Sequence, residues 1–226
     1  DVKVGSGAFM KEEADAKELG KVMLAIGRGA GRNMAALLSD MNSPLGRAVG
    51  NGLEVTESVA VLQGAGPQDL RELTLDLAEA AIEASGVDLG EPPRVVLERA
   101  LRDGSAMESF RNMVRAQGGA VEALDDPTQL LGQSGIETFE LTLSGTGFIQ
   151  RIDALEVGRA VAALGGGRGA DGSAPDPAVG VILHIAVGDQ VEGTSWPAAR
   201  IFCRNLDDEA TEEACALLAG AVHVAE

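Results

Sequence analysis

The stretch Ser43-Pro44-Leu45-Gly46-Arg47-Ala48-Val49-Gly50-Asn51-Gly52-Leu53-Glu54-Val55-Thr56-Glu57 decides how this chain is read. It follows an apolar run, Ala35 to Leu38, that reads as a buried strand, and it leads into a helical pattern from Glu54. Glycines, a proline and an asparagine crowd its first ten positions, so the backbone there is expected to turn. Backbone outside helices and ladders leaves carbonyl oxygens that something must satisfy. Carbonyls joined by one carboxylate from the following helix would form an oxygen cage for a weakly bound cation. The competing reading is a loop that carries glycines only because it turns tightly.

Upstream of the loop, Val2-Lys3-Val4 reads as a strand end before the Gly5-Ser6-Gly7 turn. A strand entering Gly-x-Gly can announce a phosphate loop, but Met10 stands where a dinucleotide pattern has its third glycine. Glu12 to Gly31 reads as an amphipathic helix, with Leu19, Val22, Met23, Ile26 and Ala30 on one face. Strand, helix and strand in this order predict a right-handed parallel crossover, which binds ligands beyond the carboxyl ends of its strands. Here those ends carry residues 5–9 and 39–52. Lys3, near a strand end, is assigned to solvent.

Downstream, helical patterns run to about Gly119. Val55, Val59 and Leu62 mark the first, which Gly64 and Gly66 end. Asp69 and Glu72 have capping-box spacing for the second, Pro92 and Pro93 open the third, and Ser105 with Glu108 caps the fourth. Phe110, Met113 and Val114 read as core rather than as a cofactor box. Asp125 to Gly135 is a linker by composition. Beyond it the texture turns to short strands: 139–143, 148–152, 179–187 and 198–203. Helices are expected from Asp153 to Leu164 and from Glu209 to Val224. Gly165 to Gly169 is read as a flexible tip, and residues 188–193 as a turn. The fold class that follows is α/β: a partial mixed or parallel sheet with flanking helices over residues 1–130. A helical run and a smaller β-rich α+β domain over 134–226 complete it.

Composition narrows the function. The 226 residues carry 18 basic and 35 acidic side chains, a formal charge of −17, which argues against nucleic acid or an anionic membrane as partner. The two cysteines, Cys203 and Cys215, have no metal-site spacing and suit a reducing, cytoplasmic compartment. No apolar run approaches the length of a membrane span. The turn Gly188-Asp189-Gln190-Val191-Glu192-Gly193 invites comparison with biotinyl or lipoyl carriers. The four lysines, however, are Lys3, Lys11, Lys17 and Lys21, so the β-rich part has none to hold such a group. His184 and His223 read as packed or solvated, and no triad, zinc or Walker pattern is present. No catalytic residue is assigned in this chain.

Two blocks, Asp1 to Met10 and Ser39 to Val55, in this order with a helix between them, resemble the pyrimidine nucleoside phosphorylase and thymidine phosphorylase family. Arg151-Ile152-Asp153-Ala154 and Asp176-Pro177-Ala178-Val179-Gly180 resemble its carboxy-terminal domain. The resemblance covers this chain but only the carboxy-terminal half of a family member. The strand lacking its start at Asp1 is likewise read as a fragment's edge.

The resemblance implies phosphorolysis of thymidine or uridine to free base and sugar 1-phosphate. Phosphate and most base contacts would come from an amino-terminal half, and the complete protein would be a homodimer. It further implies a monovalent cation, commonly potassium, held by the carbonyls of Leu45 and Ala48 and the carboxylate of Glu57, with Phe9 lining the base pocket. For Phe9, a core position after the strand is the alternative. For the whole protein, the alternative is a non-catalytic binding module that kept the phosphorylase scaffold.

Overall fold

The computed structural model describes residues 1–126, 129, 135–169 and 172–225. The linker read over Asp125 to Gly135 lies largely outside the described residues, so its ends alone are accounted for.

The amino-terminal part is a β-α-β crossover. Strand β1 (Val2–Val4) leads through α1 (Glu13–Gly29) to β2 (Leu38–Asp40), and the strands pair in parallel, Val2 opposite Leu38 and Val4 opposite Asp40. The crossover stands as expected, but its second strand begins three residues later than the apolar run suggests. Ser39 is the buried residue of β2, donating its hydroxyl to Asp1 Oδ1 at 2.6 Å, while Leu38 is exposed. The apolar face of α1 is also exposed, because only Ala16 and Gly20 turn toward the sheet. A parallel pair is normally covered on both faces, and here the described residues cover one.

The loop read from Ser43 to Gly52 holds a short strand that its glycines hide. Strand β3 (Ala48–Val49) precedes α2 (Asn51–Leu62), which starts three residues before the expected Glu54. Helices α3 (Gln68–Ser85), α4 (Pro93–Asp103) and α5 (Ser105–Ala116) follow as expected, but neither capping box forms. Pro67 occupies the N-cap of α3, so Asp69 falls inside its first turn and is free to bond elsewhere. Gly104, at φ 83°, ends α4 and starts α5, and Asp103 rather than Ser105 supplies the side-chain acceptor, to the Ser105 N–H. Val59, Met107 and Leu124 form a small core here, with Phe110 and Val114 against it; Met113 is exposed.

The main core lies in the carboxy-terminal part. Its elements are β4 (Glu137–Leu143), β5 (Gly147–Ile152), α6 (Ala154–Val161), β6 (Gly180–Leu183), β7 (Gln190–Val191), β8 (Trp196–Cys203), α7 (Glu209–Ala221) and β9 (Val222–Ala225). Asp153 caps α6 as expected, accepting from the Leu155 and Glu156 amides. Val157, Ala160 and Val161 of that helix are buried with Ile149, Val181, Ile201 and Leu218. One sheet has the antiparallel order β3-β6-β8-β4, and another the order β7-β5-β9. Although β4 and β5 are consecutive, Gly145 between them and Gly147 at the start of β5, both at positive φ, carry the chain from one sheet into the other.

Further boundaries differ from the sequence reading. The strand expected over 179–187 is only Gly180–Leu183, and the 188–193 turn contains β7, paired with β5. The last helix stops at Ala221, where the alternating Val222-His223-Val224 pairs with β5. Period-two β-branched residues beside an open strand edge favour the ladder over another helical turn.

Candidate functional site

Beyond the carboxyl ends of β1 and β2, two loops lock together. The Gly7 amide donates to the Met41 carbonyl at 2.9 Å, and the Ser6 amide to Asn42 Oδ1 at 3.1 Å. The Asn42 carbonyl in turn accepts the Ala154 amide at 3.1 Å, tying the crossover to the start of α6. Beside this junction lies a cavity of about 330 Å³, whose lining includes Lys3, Asp40, Leu45, Ala48, Glu54 and Glu57. Lys3 is turned toward it while pairing with the Asp1 carboxylate, and half its side chain reaches solvent.

The loop is shaped by three acids. Glu57 Oε1 accepts the Arg47 and Ala48 amides at 3.0 and 3.1 Å, so the helix that follows clamps the loop that precedes it. Asp69 Oδ2 accepts the Gly46 amide at 3.0 Å from the other side, with the Arg47 guanidinium 3.8 Å away. Glu54 Oε1 accepts the Gly50 amide at 3.1 Å, closing the entrance to α2. Burial pushes the Glu57 carboxyl above the usual carboxylate range, against the opposing pull of the two amides and Arg47, with Asp69 adding to the rise.

The same loop is seated on the carboxy-terminal part. The Leu183 amide donates to the Arg47 carbonyl at 2.8 Å, and the Gly52 amide to the Pro177 carbonyl at 2.9 Å. Because successive residues of a strand direct their backbone groups to opposite sides, Ala48 turns its N–H and C=O away from β6, toward Glu57. Gly50, at φ 133°, passes so near Val179 that a Cβ would stand 2.5 Å from the Val179 carbonyl oxygen. Asp176 holds this entry segment, accepting from the Ala178 amide and from Arg204.

Leu45, Ala48 and Glu57, the three positions that the resemblance implies for a cation, are among the residues lining one cavity. The residues present fit a cation of low charge: beside Leu45 and Ala48 the cavity is lined by the carboxylate residues Asp40, Glu54 and Glu57 and by Lys3, and Glu57 Oε2 is free of the two amides that occupy Oε1. Gly46 leaves room for that oxygen, since a Cβ there would lie 2.3 Å from it. Among the described residues no group of three or more His, Cys, Asp or Glu is placed to hold a metal ion.

Phe9 is placed outside this cavity, at its neighbour. It is fully exposed, which removes the core alternative for that position within this chain. The second cavity shares Lys3 and Met41 with the first, and Phe9 and Leu155 line it. The histidines are engaged at the surface of the β-rich part, His184 with Glu140 at 2.8 Å and His223 with Arg151 at 2.7 Å.

Asp69 is the site residue that sequence reading misses. Its spacing to Glu72 signals a helix cap, and nothing local tells that it reaches back 23 residues to Gly46. Replacing it by alanine strands the Gly46 N–H and is expected to cost about 1–3 kcal/mol in urea unfolding, whereas Asp69→Asn keeps an acceptor and most of the stability. Equal losses in the two variants would assign the effect to charge rather than to this bond.

Comparison with known proteins follows the same lines. Residues 148–223 match the family described as pyrimidine nucleoside phosphorylase C-terminal domain. The pyrimidine-nucleoside phosphorylase of Bacillus subtilis (strain 168) is 42% identical over 193 residues, covering 85% of this chain and 44% of the relative. That of Geobacillus stearothermophilus is 44% identical over the same shares of both chains. That of Staphylococcus haemolyticus (strain JCSC1435) is 40% identical over 210 residues, 92% of this chain and 48% of the relative. The chain spans about half the length of the curated relatives it matches. The chain is thus similar to the carboxy-terminal part of these pyrimidine-nucleoside phosphorylases.

Proposed function

We propose that this chain is the carboxy-terminal part of a phosphorolytic enzyme acting on pyrimidine nucleosides, thymidine or uridine or both. The observation that carries the reading is the loop 43–57, clamped by Glu57 beyond the ends of a parallel strand pair, in a chain about 40% identical to named pyrimidine-nucleoside phosphorylases. In the proposed reaction a phosphate oxygen forms a bond to the sugar C1′ as the C1′–N bond breaks. The electron pair passes to the base, which takes up a proton. Such a transition state gains chiefly from positioning of the anion and from donors at the departing base.

This chain's residues supply the floor of that site. Leu45 and Ala48 carbonyls with Glu57 would hold potassium, whose charge would help to anchor a phosphate loop contributed by the amino-terminal half. Phe9 offers an apolar ring against a pyrimidine face. Lys3 stands at the boundary of the two cavities. The remaining phosphate and base contacts belong to the other half, so the chain alone is expected to be inactive, and the complete protein to work as a cytoplasmic homodimer. Among the described residues no helix is long and apolar enough to cross a membrane.

The test is cleavage of thymidine and uridine followed by ultraviolet absorbance, with and without phosphate. The chain is assayed alone and joined to the amino-terminal part of the Bacillus subtilis relative. Phosphate-dependent base release by the joined protein only is the expected result. An inert joined protein that is folded would sink the enzyme reading in favour of a binding module on the same scaffold.

A further inference from the structure

The loop between β2 and β3 divides two cavities. Leu45 lines the first, together with Ala48 and Glu57, while Gly46, Arg47 and Asp69 line a second of about 540 Å³. Asp69 is not among the residues of the first cavity, so it is no ligand there. Its effect on that cavity must pass through the backbone it holds.

In a planar trans peptide the N–H of one residue and the C=O of the residue before it point in opposite directions. No described peptide bond is cis, and the peptides after Gly46 obey this rule visibly. The Ala48 N–H meets Glu57 Oε1 at 3.1 Å, and on the opposite side the Arg47 carbonyl accepts the Leu183 amide at 2.8 Å. The Arg47 N–H also meets Glu57, and opposite it the Gly46 carbonyl accepts from the Arg47 guanidinium at 3.0 Å.

The Leu45–Gly46 peptide is turned over relative to these two. Its N–H donates to Asp69 Oδ2 at 3.0 Å, on the side of the second cavity, and not to Glu57. The left-handed backbone of Gly46, at φ 73°, permits the reversal. The Leu45 carbonyl is thereby directed to the side of the first cavity, and among the described residues no donor meets it. Glycine alone would not hold this orientation, because it populates both signs of φ about equally. Asp69 supplies the bond that selects one, and it can do so because Pro67 at the N-cap leaves it uncommitted in the first turn of α3.

We propose that Asp69 is a positioning residue of the cation cage: it holds the Gly46 N–H from behind the loop and so aims the Leu45 carbonyl into the cavity. The inference rests on the reading of Leu45, Ala48 and Glu57 as that cage. The acceptor oxygen of Asp69, not its charge, sets the direction of the peptide.

The test uses the joined enzyme, with potassium chloride exchanged against tetramethylammonium chloride at constant ionic strength. Two midpoints are read: the potassium concentration that half-completes the rise in unfolding temperature, and the one that gives half-maximal phosphorolysis. Asp69→Ala removes the acceptor, and Asp69→Asn keeps it without the charge. Glu72→Ala, on the same helix, loses ion pairs to Arg71 and Arg94 and is the control for stability alone.

Both midpoints are expected to rise on the order of tenfold in Asp69→Ala, the scale for loss of a group that orients a ligand. Asp69→Asn should return them to near the parental values, and Glu72→Ala should leave them unchanged. Turnover of Asp69→Ala at saturating potassium should match the parent, which a general structural defect would not spare. Should Asp69→Ala not fold unaided, it and the parent are both measured in trimethylamine oxide, which strengthens burial. Parental midpoints in Asp69→Ala, or equal rises in the alanine and asparagine variants, would overturn the proposal and leave the cage standing. A parent indifferent to potassium would instead remove the cage, and the positioning role with it.

Discussion

Gly50→Ala is expected to be the most damaging single methyl in this chain, lowering unfolding free energy by about 3 kcal/mol or more. Two costs add at that position. The backbone sits at φ 133°, where an L side chain is strained, and the new Cβ would meet the Val179 carbonyl oxygen at 2.5 Å. The obstacle is main chain on both sides, so no rotamer change relieves it. Gly180 faces Gly50 across the same crossing and would place its own Cβ 2.4 Å from the Val49 carbonyl oxygen. The natural control is Gly158→Ala in the middle of α6, where a Cβ meets nothing within 4 Å. That change should stabilise by up to about 1 kcal/mol through helix propensity. Urea unfolding of both variants checks the pair, and a Gly50→Ala protein as stable as the parent would mean that β3 does not sit on β6 in solution.

The second large effect concerns Glu57. Its glutamine variant keeps the shape and one amide oxygen for the Arg47 and Ala48 N–H groups, but removes the charge. In the joined enzyme the potassium concentration for half-maximal phosphorolysis is expected to rise on the order of 10–100-fold, the scale seen when even a supporting group of a metal site is lost. A cation requirement that does not change would remove Glu57 from the cage.

The same variant gives an independent reading in this chain alone. Burial raises the Glu57 pKa, so the folded state binds the proton more tightly than the unfolded one. The stability this confers is present at low pH and is lost as pH rises through the folded pKa. Parent minus Glu57→Gln stability should therefore fall as pH rises from the ordinary carboxylate range upward. A difference that grows with pH would mean that the amides and Arg47 outweigh burial.

Much of this architecture is local and was legible residue by residue. The crossover follows from one apolar stripe between two short apolar runs, and the cap at Asp153 from an acid placed just ahead of a helical pattern. The helical run and the texture change after residue 135 are likewise matters of period and punctuation. The trio Leu45, Ala48 and Glu57 came from the family resemblance rather than from local pattern, which offered only a turning loop followed at once by a helix able to bring a carboxylate beside it.

What the residues alone determined, then, is the set of elements and the presence of a turning loop between a short strand and a helix. Tertiary structure alone decided which edges meet. Ala48–Val49 becomes a strand because β6 offers it a ladder, Val222–Ala225 because β5 does, and Asp69 leaves its own helix to hold Gly46. Exposure of the α1 stripe was also invisible in the pattern, since periodicity reports that a face is apolar and not what covers it. In each case the deciding term is a contact with residues far away in sequence, which no local window contains.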